Sequence, residues 1–101
     1  MRKGTTPTLT FELPPDVPVA EIANAKVTLC QGDVRLEKKL CDCQTSENTL
    51  SVKLTQEETL LFACRSRLRF QLRVLTVGGD ALATDVMEMF VHELLDEEVL
   101  E

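Results

Sequence analysis

Hydrophobic and polar positions alternate with a period of two along most of the chain, which is the signature of strands that bury one face. Thr8-Leu9-Thr10-Phe11-Glu12-Leu13 is the first such stretch, and Pro14-Pro15 stops it. Residues 14–24 hold Pro14, Pro15 and Pro18 and read as a connection pinned by Val17, Val19 and Ile22. Residues 25–31 alternate again with Val27 and Leu29 on one face. Gly32-Asp33 then turns the chain, and residues 34–40 return with an irregular end, so a hairpin is expected. Residues 41–48 are polar without a period and predict a surface loop or irregular edge strand. Residues 50–54 resume the alternation.

Thr55-Gln56-Glu57-Glu58 fits a capping box, in which the Thr55 hydroxyl and the Glu58 carboxylate each accept from the other residue's amide. A helix of about two turns is expected from there to Arg65-Ser66. It should carry Leu60, Leu61 and Ala63 across an opening of the sheet core and turn Gln56, Glu57 and Thr59 to solvent. Arg67-Leu68-Arg69-Phe70-Gln71-Leu72-Arg73-Val74 is the clearest strand, with Leu68, Phe70, Leu72 and Val74 on one side and the arginines and Gln71 on the other. Gly78-Gly79-Asp80 allows a tight turn, and residues 81–91 return antiparallel. A two-residue loop sets Leu72 against Asp85 and Phe70 against Met87; a three-residue loop sets them against Val86 and Glu88. Either register brings an acid onto the apolar face. A bulge near Thr84-Asp85 relieves this, with Met87, Met89 and Val91 inward and Glu88 and Phe90 outward.

Short strands at roughly ten-residue spacing with one capped helical turn describe an all-β fold. The expected architecture is an antiparallel immunoglobulin-like β-sandwich of about six to seven strands, one domain over residues 1–101, with residues 1–6 and 96–101 as mobile ends. The absence of βαβ alternation excludes a parallel sheet. Without Trp or Tyr, the buried indole and tyrosine corner of antibody domains are missing.

Eleven Lys and Arg stand against 17 Asp and Glu, a net charge of −6. This balance is the wrong footprint for nucleic acid or an anionic membrane. No apolar run follows the basic residues Arg2 and Lys3, so a cytosolic protein with reduced thiols is expected. Cys41-Asp42-Cys43, with Cys30 or Cys64, lacks the spacing of a structural zinc site, and Cys30 and Cys64 read as small apolar residues in or near the core. His92 is the only imidazole, at the end of the last strand, and Asp96-Glu97-Glu98 reads as a solvated run. No catalytic, metal or cofactor residues are assigned. The candidate interface is Phe90, whose ring projects away from the core, together with the stripe Arg67, Arg69 and Arg73, for which ion pairing to Glu88 is expected.

The segments Leu13-Pro14, Ala25-x-Val27-Thr28, Leu54-Thr55-Gln56-Glu57-Glu58-Thr59-Leu60-x-Phe62, Gln71-x-Arg73-Val74 and Gly79-Asp80-x-x-Ala83-Thr84-Asp85 resemble those of small prophage-encoded proteins. These are similar in turn to the immunoglobulin-like N-terminal domain of phage baseplate upper proteins. The four cysteines and Met87-Glu88-Met89-Phe90 depart from that pattern. The resemblance implies a non-enzymatic structural or assembly protein of a tail or baseplate. It would be made in the bacterial host cytoplasm, pass from there into the virion, and act by contact with other tail or baseplate proteins; a homo-oligomer is part of the same expectation. The competing expectation is a small cytosolic adaptor or inhibitor that binds a host protein through its acidic end.

Overall fold

In a computed structural model spanning residues 1–101, the alternating stretches form two antiparallel sheets, with one short helix between the fifth and sixth strands. The strands are β1 (Thr8–Glu12), β2 (Ile22–Gln31), β3 (Val34–Lys39), β4 (Cys43–Ser46), β5 (Thr49–Lys53), β6 (Ser66–Thr76), β7 (Ala81–Ala83) and β8 (Met87–Val91), and the helix is α1 (Gln56–Leu60). One sheet has the order β1-β5-β4. The other has the order β3-β2-β6, with β7 and β8 both paired to β6. The chain is thus the all-β sandwich with one short capped helix that the alternation predicts.

Period two explains what lies inside. Phe11, Leu50, Val52 and Leu54 of the smaller sheet's side meet Val27, Leu29, Leu68 and Leu72 of the larger sheet, all at most 4% exposed. Phe62 and Val91 complete this core at 0% exposure. Burial of such side chains contributes about 1.5–3 kcal/mol each. Phe11 and Phe70 meet edge to face across the layers, their ring centroids 6.1 Å apart.

Two stretches without an apolar period nevertheless form strands. β4 pairs with β5 as the edge of the smaller sheet, its residues exposed apart from half-buried Cys43. β2 begins at Ile22, three residues before the alternation becomes readable, because its register against β6 shifts between Ile22 and Asn24.

The helix begins as predicted. Thr55 Oγ1 accepts from the Glu58 amide at 3.2 Å, and Glu58 Oε1 accepts from the Thr55 amide at 2.9 Å. Its length and orientation differ from the expectation: it ends at Leu60, well short of Arg65-Ser66, which leaves Leu61 and Ala63 beyond it. Thr59 is fully buried, whereas Leu61 and Ala63 are exposed. The inward positions are Thr59 and Phe62, three residues apart, and the single Thr59 hydroxyl proton is shared between the carbonyls of Thr5 at 2.9 Å and Gln56 at 3.1 Å, so its burial leaves no orphaned polar group. Glu58 also meets Lys38 Nζ at 2.6 Å, tying α1 to β3.

The expected bulge lies between β7 and β8. The β6 turn closes on Thr76 and Asp80, with Val77, Gly78 and Gly79 between them and Gly79 at φ +90°. That register sets Val74 against Leu82, which is neither of the two predicted alternatives. Beyond the bulge the pairing slips by one residue into the register of the two-residue-loop alternative, so Phe70 meets Met87 and Leu68 meets Met89. Thr84 makes the slip possible. Its amide donates to the Leu72 carbonyl at 2.9 Å, and its hydroxyl, in place of a backbone carbonyl, accepts from the Leu72 amide at 3.1 Å. The freed Thr84 carbonyl accepts from Gln71 Nε2 at 2.7 Å. Met87, Met89 and Val91 consequently turn inward and Asp85, Glu88 and Phe90 outward.

Residues 1–4, expected in a mobile end, lie beside β8 through a parallel bridge of Arg2 to His92. Lys3 is buried with Nζ 2.8 Å from Glu97. Gly4 has φ +71°, and an added Cβ would stand 2.5 Å from Leu94 Cδ2, so the last stretch of chain crosses closely over this glycine.

Candidate interaction face

The outer face of the larger sheet is the other half of the same alternation. β2 presents Lys26, Thr28 and Cys30; β3 presents Arg35, Glu37 and Lys39; β6 presents Arg67, Arg69, Gln71 and Arg73; β8 presents Glu88 and Phe90. These strand positions therefore hold six of the chain's 11 cationic side chains but only two of its 17 acids, with Asp85 also turned outward at the bulge, in a molecule of net charge −6. The sequence-predicted residues Arg67, Arg69, Arg73 and Phe90 all lie here.

Sheet register brings further cations to them. Lys26 stands directly opposite Lys39 on one side and Arg73 on the other, so three cations form a row across three neighbouring strands. Cys30 stands opposite Arg35 and Arg69. Like charges directly opposite one another destabilise a sheet. Only part of this repulsion is relieved within the chain. Glu37 meets Arg35 Nε at 2.8 Å and Lys26 Nζ at 3.5 Å, and these partners, Arg35 first, hold its carboxyl below the usual range. The expected ion pair of the stripe with Glu88 is limited to Arg67, at a long 3.9 Å, while Arg69, Arg73 and Lys39 make none.

The face is also uneven. A shallow groove with a volume of about 280 Å³ runs between Thr28, Cys30, Arg35, Arg69, Arg73 and Val86. Val86, displaced outward by the bulge, is 52% exposed beside these arginines, and Phe90 is 42% exposed. The helix does not cover the Phe90 ring, which packs edge to face on His92 with centroids 5.0 Å apart. Arginine stems interleaved with exposed apolar side chains are the composition of protein-binding surfaces.

The thiols are dispersed. Cys30 sits on this outer face and not in the core, because the alternation that buries Val27 and Leu29 turns it outward with Lys26 and Thr28. Cys64 and Cys43 pack against the core margin and Cys41 is exposed; all four are free. Burial, followed by the charges of Asp42 and Cys41, raises the Cys43 thiol and disfavours its thiolate. No three His, Cys, Asp or Glu side chains come together as a metal ligand set. Compared with known proteins, the chain matches no family model, no curated protein and no solved structure.

Proposed function

We propose that this chain is a non-enzymatic protein-contact module, a structural or assembly component of the phage tail or baseplate type with an immunoglobulin-like sandwich. It docks on a protein partner through the outer face of β3-β2-β6-β8. The observation that carries the reading is the row Lys39, Lys26 and Arg73, with Arg69 nearby. Within the chain only Lys26 of this row, through Glu37, has an acid; Lys39 and Arg73 stand directly opposite it without an ion pair, whereas an acidic partner surface turns the same arrangement into attraction. The aromatic Phe90 and outward Val86 supply the apolar contact that charge alone does not. The resemblance to prophage proteins supports the tail or baseplate setting.

The test is gradient sedimentation of particles from an induced lysogen carrying the gene. The protein should travel with tail or baseplate particles, and a variant with Arg69→Glu and Arg73→Glu should remain at the top of the gradient. Wild-type protein found only at the top would refute the assignment.

A further inference from the structure

The strongest exposed-apolar anomaly lies away from the outer face. Leu95 is 97% exposed and Leu100 78%, within a run that includes Asp96, Glu98 and Glu101. Solvated leucines concentrated in one short segment mark a contact surface more than a finished exterior. The segment has a defined course. Leu94 lies against Gly4, Glu97 pairs with Lys3, and Leu100 exchanges two hydrogen bonds with the Gln56 side chain, at 2.9 and 3.1 Å. These contacts leave Asp96, Glu98 and Glu101 outside any ion pair.

The outer face of the large sheet has the complementary inventory. Arg69, Arg73 and Lys39 make no ion pair, although Glu88 stands opposite Arg69 in the register, and Val86 and Phe90 stand exposed among the cations. Both halves of a matched surface thus exist on one chain, and the contacts that hold residues 94–100 against α1 and residues 3–4 keep them off their own sheet. We propose that residues 95–101 of one copy dock on the outer face of β3-β2-β6-β8 of a second copy, so that copies join head to tail. Leu95 and Leu100 seat beside Phe90 and Val86, and Asp96, Glu98 and Glu101 face Arg69, Arg73 and Lys39. The reach is sufficient. Five extended residue steps span about 17 Å, against about 13 Å for the four steps from Val86 to Phe90. Because the two surfaces differ, the contact is heterologous and propagates into a ring or an open filament. The inference rests on reading the outer face as a protein-docking site and names its occupant.

Charge swapping tests it by sedimentation velocity at about 0.1 M salt and up to about 1 mM protein. Wild-type protein should show masses above the 11.3 kDa monomer that grow with concentration. Arg69→Glu with Arg73→Glu, and separately Asp96→Lys with Glu98→Lys, should each sediment as monomer at every concentration. The four changes together keep the net charge at −6 and should restore association. Circular dichroism of each variant confirms folding. If a double variant is unfolded, Arg73→Glu alone and Glu98→Lys alone, with their combination, give the same reading. A wild-type chain that stays monomeric overturns the inference while leaving the particle test of the docking face in force. So does association that either reversed pair leaves unchanged, or that the combination fails to recover.

Discussion

The inner and outer faces of β2 and β6 are built from alternate residues of the same strands, yet they obey different constraints. Inward, Val27 and Leu29 meet Leu72 and Phe70 in register, each cross-strand pair apolar on both sides. Outward, the intervening positions set Lys26 against Arg73 and Cys30 against Arg69. Burial dictates the first set, since a polar residue there would be desolvated without a partner. Burial does not dictate the second, where Glu37 answers Lys26 but Lys39 and Arg73 make no ion pair. The difference teaches that one face of this sheet is fixed by its own core, whereas the other is left open to the contact proposed for it.

The comparison is broken most severely from the inner side. Phe62→Ala should cost about 3–5 kcal/mol, because the ring closes the core at the foot of α1 and neighbouring strands cannot collapse into its volume. Urea unfolding monitored by circular dichroism measures this loss. The bulge between the two registers of β6 comes next. Thr84→Val keeps the shape but removes the acceptor for the Leu72 amide, and should cost about 1–3 kcal/mol. Amide exchange at Leu72 should accelerate in that variant and not at Val27. At the helix, Thr55→Ala removes the cap and should cost about 0.5–2 kcal/mol in the same urea assay.

The helix also carries a pH signature. Burial raises the Glu58 carboxyl, but the hydrogen bonds from Lys38 and the Thr55 amide outweigh it, and the net shift is downward. A carboxyl depressed in the folded state contributes stability that is present above its unfolded value of about 4.3 and is lost as pH falls through the lower folded value. Stability should therefore decline on acidification below about pH 4.3. Glu58→Gln should flatten part of that decline, and an unchanged slope would contradict the assigned role of the Lys38 pair.

Much of this architecture is legible in the sequence where one face is buried and the other solvated. β6 is the clearest case, its alternation running unbroken from Arg67 to Val74. β4 is only half legible: residues 41–48 read as either a loop or an irregular edge strand, and with Gln44, Thr45 and Ser46 exposed there is no apolar period to decide between them. Thr59 misleads for the opposite reason. A hydroxyl suggests solvent, yet it is buried because carbonyls from Thr5 and Gln56 satisfy it, and only its three-residue spacing to Phe62 hints at the inward side. The bulge was foreseeable from Asp85 intruding on an apolar face, but the register near the turn was not, since it depends on which residues close around Gly79. The candidate face divides similarly. Its β6 stripe is visible in one strand, whereas Lys26, Arg35 and Lys39 join it only through pairing between distant segments.

The smallest expected effect is the most direct test of the distinction between the faces. Arg73→Glu places an acid opposite Lys26, and the urea-unfolding free energy should stay level or rise by about 0.2–1 kcal/mol. A loss of more than about 1 kcal/mol would mean that the outer cations hold the sheet together, and the account of this face as one kept for a partner would be contradicted.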